Sequence, residues 1–155
     1  MLLDYTTYFL AAFIATIGFG ILYNVPTRTI LASSLAGATG WVVYHYLSFQ
    51  LELDYFVGAG AAAFLVANCS QWFARYYRMP VIVFAIPGII PLVPGGSAYN
   101  MMRSFIEGNS DLAFMYATET FLVSGAIALG LSVNSGLLQA LSSRTLGKRD
   151  KRYLP

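Results

Sequence analysis

The chain has 155 residues, of which 57% are apolar and only 10% charged, and a mean hydropathy of +0.63. Soluble domains carry about 25% charged residues, so the composition excludes a separate soluble domain and indicates a polytopic membrane protein. The formal net charge of +2 is uninformative as a total, whereas its distribution along the chain is not. One cysteine, Cys69, excludes an intrachain disulfide and reads as a packing residue in an apolar run.

The first span is expected over roughly 7–24 and ends at Pro26 and Arg28. MLLDYTTY before it lacks the basic n-region of a cleaved signal peptide. The second covers about 29–49 and closes at the acidic QLELD turn with Glu52 and Asp54. The third covers about 55–74 and ends in Arg75-Tyr76-Tyr77-Arg78. The fourth starts at Pro80, is interrupted in a proline run, and resumes to about Ile106. After the polar turn Glu107 to Asp111, the fifth covers about 112–138, and a basic tail fills about 142–155. Spans one, two, three and five approach the ~20 residues needed to cross a bilayer. The expectation is one all-α, five-helix membrane domain over residues 1–155.

Five crossings place Arg28, Arg75, Arg78 and the tail residues Arg144, Lys148, Arg149, Lys151 and Arg152 on one side. That is eight of the nine basic residues. Arg103 stays opposite, with Asp4, Glu52, Asp54, Glu107 and Asp111. The positive-inside rule makes the basic side cytoplasmic, so the chain is expected N-out and C-in. A re-entrant proline run would reverse the last span and translocate its tail, against the charge pattern. Tyr5, Tyr8, Trp41, Tyr44, Tyr46 and Tyr55 near one set of span ends, and Tyr23, Trp72, Tyr76 and Tyr77 near the other, read as interfacial belts. Small residues such as Gly37, Gly40, Gly58 and Ala62 allow close helix approach.

The strongest local signal is Pro80 to Gly96, PVIVFAIPGIIPLVPGG. Pro87, Pro91 and Pro94 lack the N–H a regular helix needs, yet the run is too apolar for a solvated loop. Irregular backbone at membrane depth must be buried in protein or line a wet cavity, and an interrupted span points to a binding site. Pro94-Gly95-Gly96-Ser97 precedes a helical stretch whose first amides attract an anion, with Ser97 as the expected N-cap. Pro87, Gly88, Pro91, Pro94, Gly95, Gly96, Ser97, Tyr99 and Asn100 are the candidate substrate-binding residues. The competing reading is a kinked structural helix without a ligand.

Glu119 is the acid well inside a span, roughly 10 Å beyond Leu112 at ~1.5 Å per residue. An intramembrane carboxylate is costly and marks a functional site by default. It reads as a proton-coupling or substrate-sensing group, or else as a structural acid bonded to a neighbour. Its helical face includes Met115, Tyr116, Leu122, Val123, Ala126 and Gly130, and the small pair predicts packing on another helix. Asn68, Gln71 and Arg75 form a polar stripe on span three, either lining a path or bonding to neighbouring helices. Arg103 is placed to pair with Glu107 at i+4. His45, between two tyrosines, reads as an interfacial aromatic. One His and one Cys cannot make a usual metal site. No catalytic constellation or nucleotide-binding motif is visible, so neither an enzyme nor a cofactor is expected. The basic tail contacts anionic lipid rather than nucleic acid.

PGIIPLVPG (Pro87 to Gly95) in the fourth of five spans, followed by a short polar turn, resembles the threonine/serine exporter family. Length and span count are similar to its short subunit, over nearly the whole chain. The resemblance implies half of a bacterial inner-membrane exporter of threonine and serine, or of succinate in a two-component type. It also implies a larger partner subunit supplying the other half, in opposite orientation. An accessory subunit, or a homo-oligomeric channel without coupling, is the alternative.

Overall fold

Apolar runs become helices throughout, and three of the helices stop where the backbone turns left-handed. The computed structural model describes residues 2–150, with side chains for 5–137. Its elements are α1 (Leu2–Leu22), α2 (Thr27–His45), a π-helical turn (Tyr46–Gln50), α3 (Tyr55–Tyr77), α4 (Ile82–Ile89), a 3-10 turn (Ile90–Leu92), α5 (Gly95–Ile106) and α6 (Ser110–Asp150). Asn24 (φ 54°), Arg78 (φ 53°) and Gly108 (φ 78°) follow α1, α3 and α5, and break the helical path. Asn109 starts α6, its Oδ1 accepting the Leu112 N–H at 3.3 Å. The helix continues into the expected tail as far as Asp150. The basic side chains Arg144, Lys148, Arg149, Lys151 and Arg152 lie outside the described residues.

Five helices pack through small residues. A Cβ on Gly37 of α2 would stand 2.7 Å from Thr16 Oγ1 on α1 and 3.1 Å from the Gly88 carbonyl on α4. Gly40 meets Val66 of α3, and Gly60 meets Ala126 of α6 at 3.2 Å. Apolar burial cannot select partners in a medium as apolar as the side chains, so close backbone contact does. The face of α6 bearing Ala126 and Gly130 packs on α3, as its small residues predict.

The order of contacts gives each helix its direction. Gly40 against Val66 and Tyr44 against Gly58 make α2 and α3 antiparallel. Gly37 against Gly88 and Gly40 against Leu92 make α2 and α4 parallel. Gly60 against Ala126, then Ala63 and Phe64 against Gly130, make α3 and α6 parallel too.

Among the described residues, three helical stretches are long and apolar enough to cross a membrane: Tyr5–Leu22, Tyr55–Tyr77 and Ser110–Leu137. A fourth is available if Ile82–Leu92 and Gly95–Ile106, bent by 52°, form one span. The expected second span is not among them. Thr27, Arg28, Thr29, Ser33 and Ser34 lower the hydropathy of α2. Burial compensates, since Thr29, Ser33 and Ser34 are enclosed, the Thr29 hydroxyl donating to the Pro26 carbonyl at the helix start and both serines to the Ile30 carbonyl.

The prolines do not act alike. The interruption expected between Pro87 and Gly96 is shorter, because Pro87 lies inside α4 and is buried with Gly88. It removes one hydrogen bond near the end of a short helix, which continues to Ile89. The break falls at Ile90–Pro94. Pro91 sits in the first turn of the 3-10 segment, where its missing N–H costs little, and Pro94 is the N-cap of α5.

Candidate functional site

The break leaves α5 starting inside a cleft. Val93 is extended (φ −64°, ψ 130°), and the Gly95 N–H donates to the Val93 carbonyl at 2.7 Å. No side chain caps α5. Ser97, expected as N-cap, instead stands one turn inside and points sideways, because Pro94 occupies the cap position. Its Oγ donates to Oε1 of Glu119 on α6 at 2.7 Å. The proline-glycine motif and Glu119, separate candidates in the sequence, meet in one cleft.

That site is a cleft of about 200 Å³ lined by Trp41, Tyr44, Pro91, Leu92, Val93, Pro94, Gly96, Ser97, Glu119 and Val123. Its poles differ in charge. The first-turn N–H groups of α5, with Gly96 and Ser97 at their head, carry the positive end of the helix dipole. Glu119 supplies a carboxylate beside them, and the rings of Trp41 and Tyr44, 5.3 Å apart, make an aromatic wall. Such a cleft can hold a small solute bearing both a carboxylate and a cation.

The remaining candidates are dispersed. Pro87 and Gly88 serve the α2–α4 crossing. Gly95 lies beside the cleft, with nothing within 4 Å of a Cβ built on it. Tyr99 is 68% exposed and lines a separate cleft with Met102, Arg103, Ile106 and Glu107 on α5. Asn100 is half-buried and does not line the Glu119 cleft. Asn68 is exposed and donates back to the Phe64 carbonyl at 2.9 Å, Arg75 is exposed, and Gln71 is half-buried. None of the three lines the Glu119 cleft. Arg103 pairs with Glu107, Nε to Oε1, at 2.8 Å.

Trp41 and Tyr44, read from sequence as belt residues, are cleft walls. Their spacing with His45 on one helical face was the available signal. His45 is an aromatic-cluster residue, stacked on Tyr8 at 4.0 Å and Phe49 at 4.3 Å. Asn134 was missed altogether. It lies farther along the stripe of α6 that holds Glu119, Val123, Ile127 and Gly130, and is 2% exposed. Its Oδ1 has no hydrogen-bond partner among the described residues.

Apolar helices packed through glycines define a multi-pass α-helical membrane protein. The chain matches the family model described as Threonine/Serine exporter, ThrE, over residues 8–136, and belongs to the threonine/serine exporter family. No solved structure matches it.

Proposed function

We propose that the chain is one subunit of a bacterial inner-membrane exporter for small carboxylate-bearing metabolites. Within that class it takes a hydroxy amino acid, threonine or serine, in preference to a succinate-like dicarboxylate. The observation that carries this reading is Glu119 bonded to Ser97 at the start of α5. A zwitterion sets its carboxylate at the Gly96 and Ser97 amides and its ammonium at Glu119 and the aromatic wall. A dicarboxylate brings a second negative charge toward Glu119, which like-charge repulsion disfavours. Family membership supports the same substrates.

Five crossings, N-out and C-in, fit this reading. The parallel course of α3 and α6 supports a complete crossing by α4 and α5 as a broken span, since a re-entrant loop would return α6 antiparallel to α3. Open space around Gly95 and Gly96 supports a larger subunit of the same family closing the cleft, because a polar site cannot face acyl chains. Glu119 is the proton-coupling group of the assembled exporter.

Proteoliposomes containing this chain and its larger partner are the direct test. Preloaded threonine leaves faster than preloaded succinate, and omitting this chain abolishes the difference. Succinate leaving faster would reverse the substrate assignment. Gly95→Leu is expected to leave thermal stability within a few degrees of wild type, because a Cβ at this position has nothing within 4 Å. The same change reduces threonine binding at least tenfold by filling the mouth of the cleft, as equilibrium dialysis would read. Normal affinity in a folded variant would remove the motif from the binding site.

A further inference from the structure

We propose that Trp41 is the specificity-determining partition that limits the size of the transported side chain. The inference rests on the cleft at Glu119 being the solute site. A second cleft, about 240 Å³, lies against it and is lined by Ala11, Ala12, Ala15, Trp41 and Pro91. Trp41 and Pro91 belong to both linings. Pro91 contributes backbone and ring that the 3-10 turn fixes, so the indole is the removable part of the wall.

The indole is also held in place. Its ring leans on Tyr44 at 5.3 Å and meets His45 edge-on at 6.0 Å, and His45 is itself stacked between Tyr8 and Phe49. A ring supported this way cannot swing aside to admit a longer solute at small cost. Beyond it, α1 presents alanines, which leave space rather than contacts. Without the indole, the 200 Å³ cleft opens into the second and more than doubles. With it, the cleft ends at the ring. A hydroxymethyl or hydroxyethyl side chain fits, and an isobutyl or aromatic one collides with the ring. Size exclusion against a fixed wall discriminates more strongly than a missing methylene does in an open pocket.

The test compares export of L-threonine and L-leucine from proteoliposomes containing the full chain and its partner. Trp41→Ala is expected to raise the leucine-to-threonine rate ratio at least tenfold while threonine export falls only a few-fold. Trp41→Phe raises it less. Adding Ala15→Leu to Trp41→Ala refills the second cleft from α1 and restores the original ratio. Should Trp41→Ala fail to assemble, Trp41→Phe alone and with Ala15→Leu carries the same comparison with smaller steps. An unchanged ratio in an assembled Trp41 variant overturns the partition. Glu119→Gln distinguishes the two levels of inference. Loss of threonine export there, with an unchanged ratio at Trp41, overturns the partition alone. Unaltered threonine export in Glu119→Gln overturns the site and the partition with it.

Discussion

Glu119→Gln is expected to weaken threonine binding about 10–100-fold while relieving the barrier to succinate. The substitution keeps a carbonyl oxygen for Ser97 Oγ to donate to, so the 2.7 Å contact and the packing of α5 on α6 survive. What disappears is the charge. A hydrogen bond to a charged partner is worth about 1.5–3 kcal/mol, and about 1.4 kcal/mol corresponds to a factor of ten. For a dicarboxylate the sign reverses, because the removed charge was repulsive. Opposite responses from the two solutes are difficult to obtain from misfolding, which lowers both. The pH profile of export is expected to flatten as well, since the variant has no proton to exchange at this position. Tyr44 is the remaining ionisable side chain lining the cleft, and Ser97 faces Glu119 from α5. Isothermal titration with each solute and flux measured across a pH series check both parts. Parallel losses for threonine and succinate would reject the ammonium contact, and an unaltered pH profile would end the coupling role.

Gly130→Val is expected to do more damage than any change in the cleft. A Cβ at this position would collide with the Gly60 carbonyl and lie 3.1 Å from the Phe64 amide nitrogen, both backbone atoms of α3. Backbone cannot rotate away, so α3 and α6 must separate. Overpacking costs about 1–3 kcal/mol even where side chains can yield, and here the damage spreads along the interface. Glu119 lies on the same face of α6, about three turns earlier, so separation also carries the carboxylate away from Ser97. Gly125 on the same helix has nothing within 4 Å of a built Cβ. Gly125→Val therefore serves as the control and is expected to be tolerated. Thermal unfolding of both variants in detergent, followed by size-exclusion chromatography, measures the contrast. Equal stability of Gly130→Val and Gly125→Val would show that the close α3–α6 approach does not hold the bundle together.

Much of the architecture was legible because it follows from local chemistry. Apolar length set α1, α3 and α6, left-handed or proline residues set their ends, and the Ala126–Gly130 pair identified the packed face of α6. Residue spacing alone anticipated the Arg103–Glu107 pair, since i,i+4 neighbours on a helix meet whatever surrounds them. The second helix was less legible by hydropathy, because its buried hydroxyls are satisfied by its own backbone and its neighbours replace lipid.

The sequence by itself determined that this is a multi-pass helical protein whose fourth apolar run is bent at its prolines, since periodicity, length and ring chemistry act within a few residues. Only the tertiary structure decided that Ser97 turns toward Glu119, that Trp41 and Tyr44 wall the cleft, and that Pro87 and Gly88 serve packing. Those relations join residues of different helices, and they depend on which glycines let two backbones touch. Side-chain identities restrict that choice, but it becomes definite only when all the helices are packed at once.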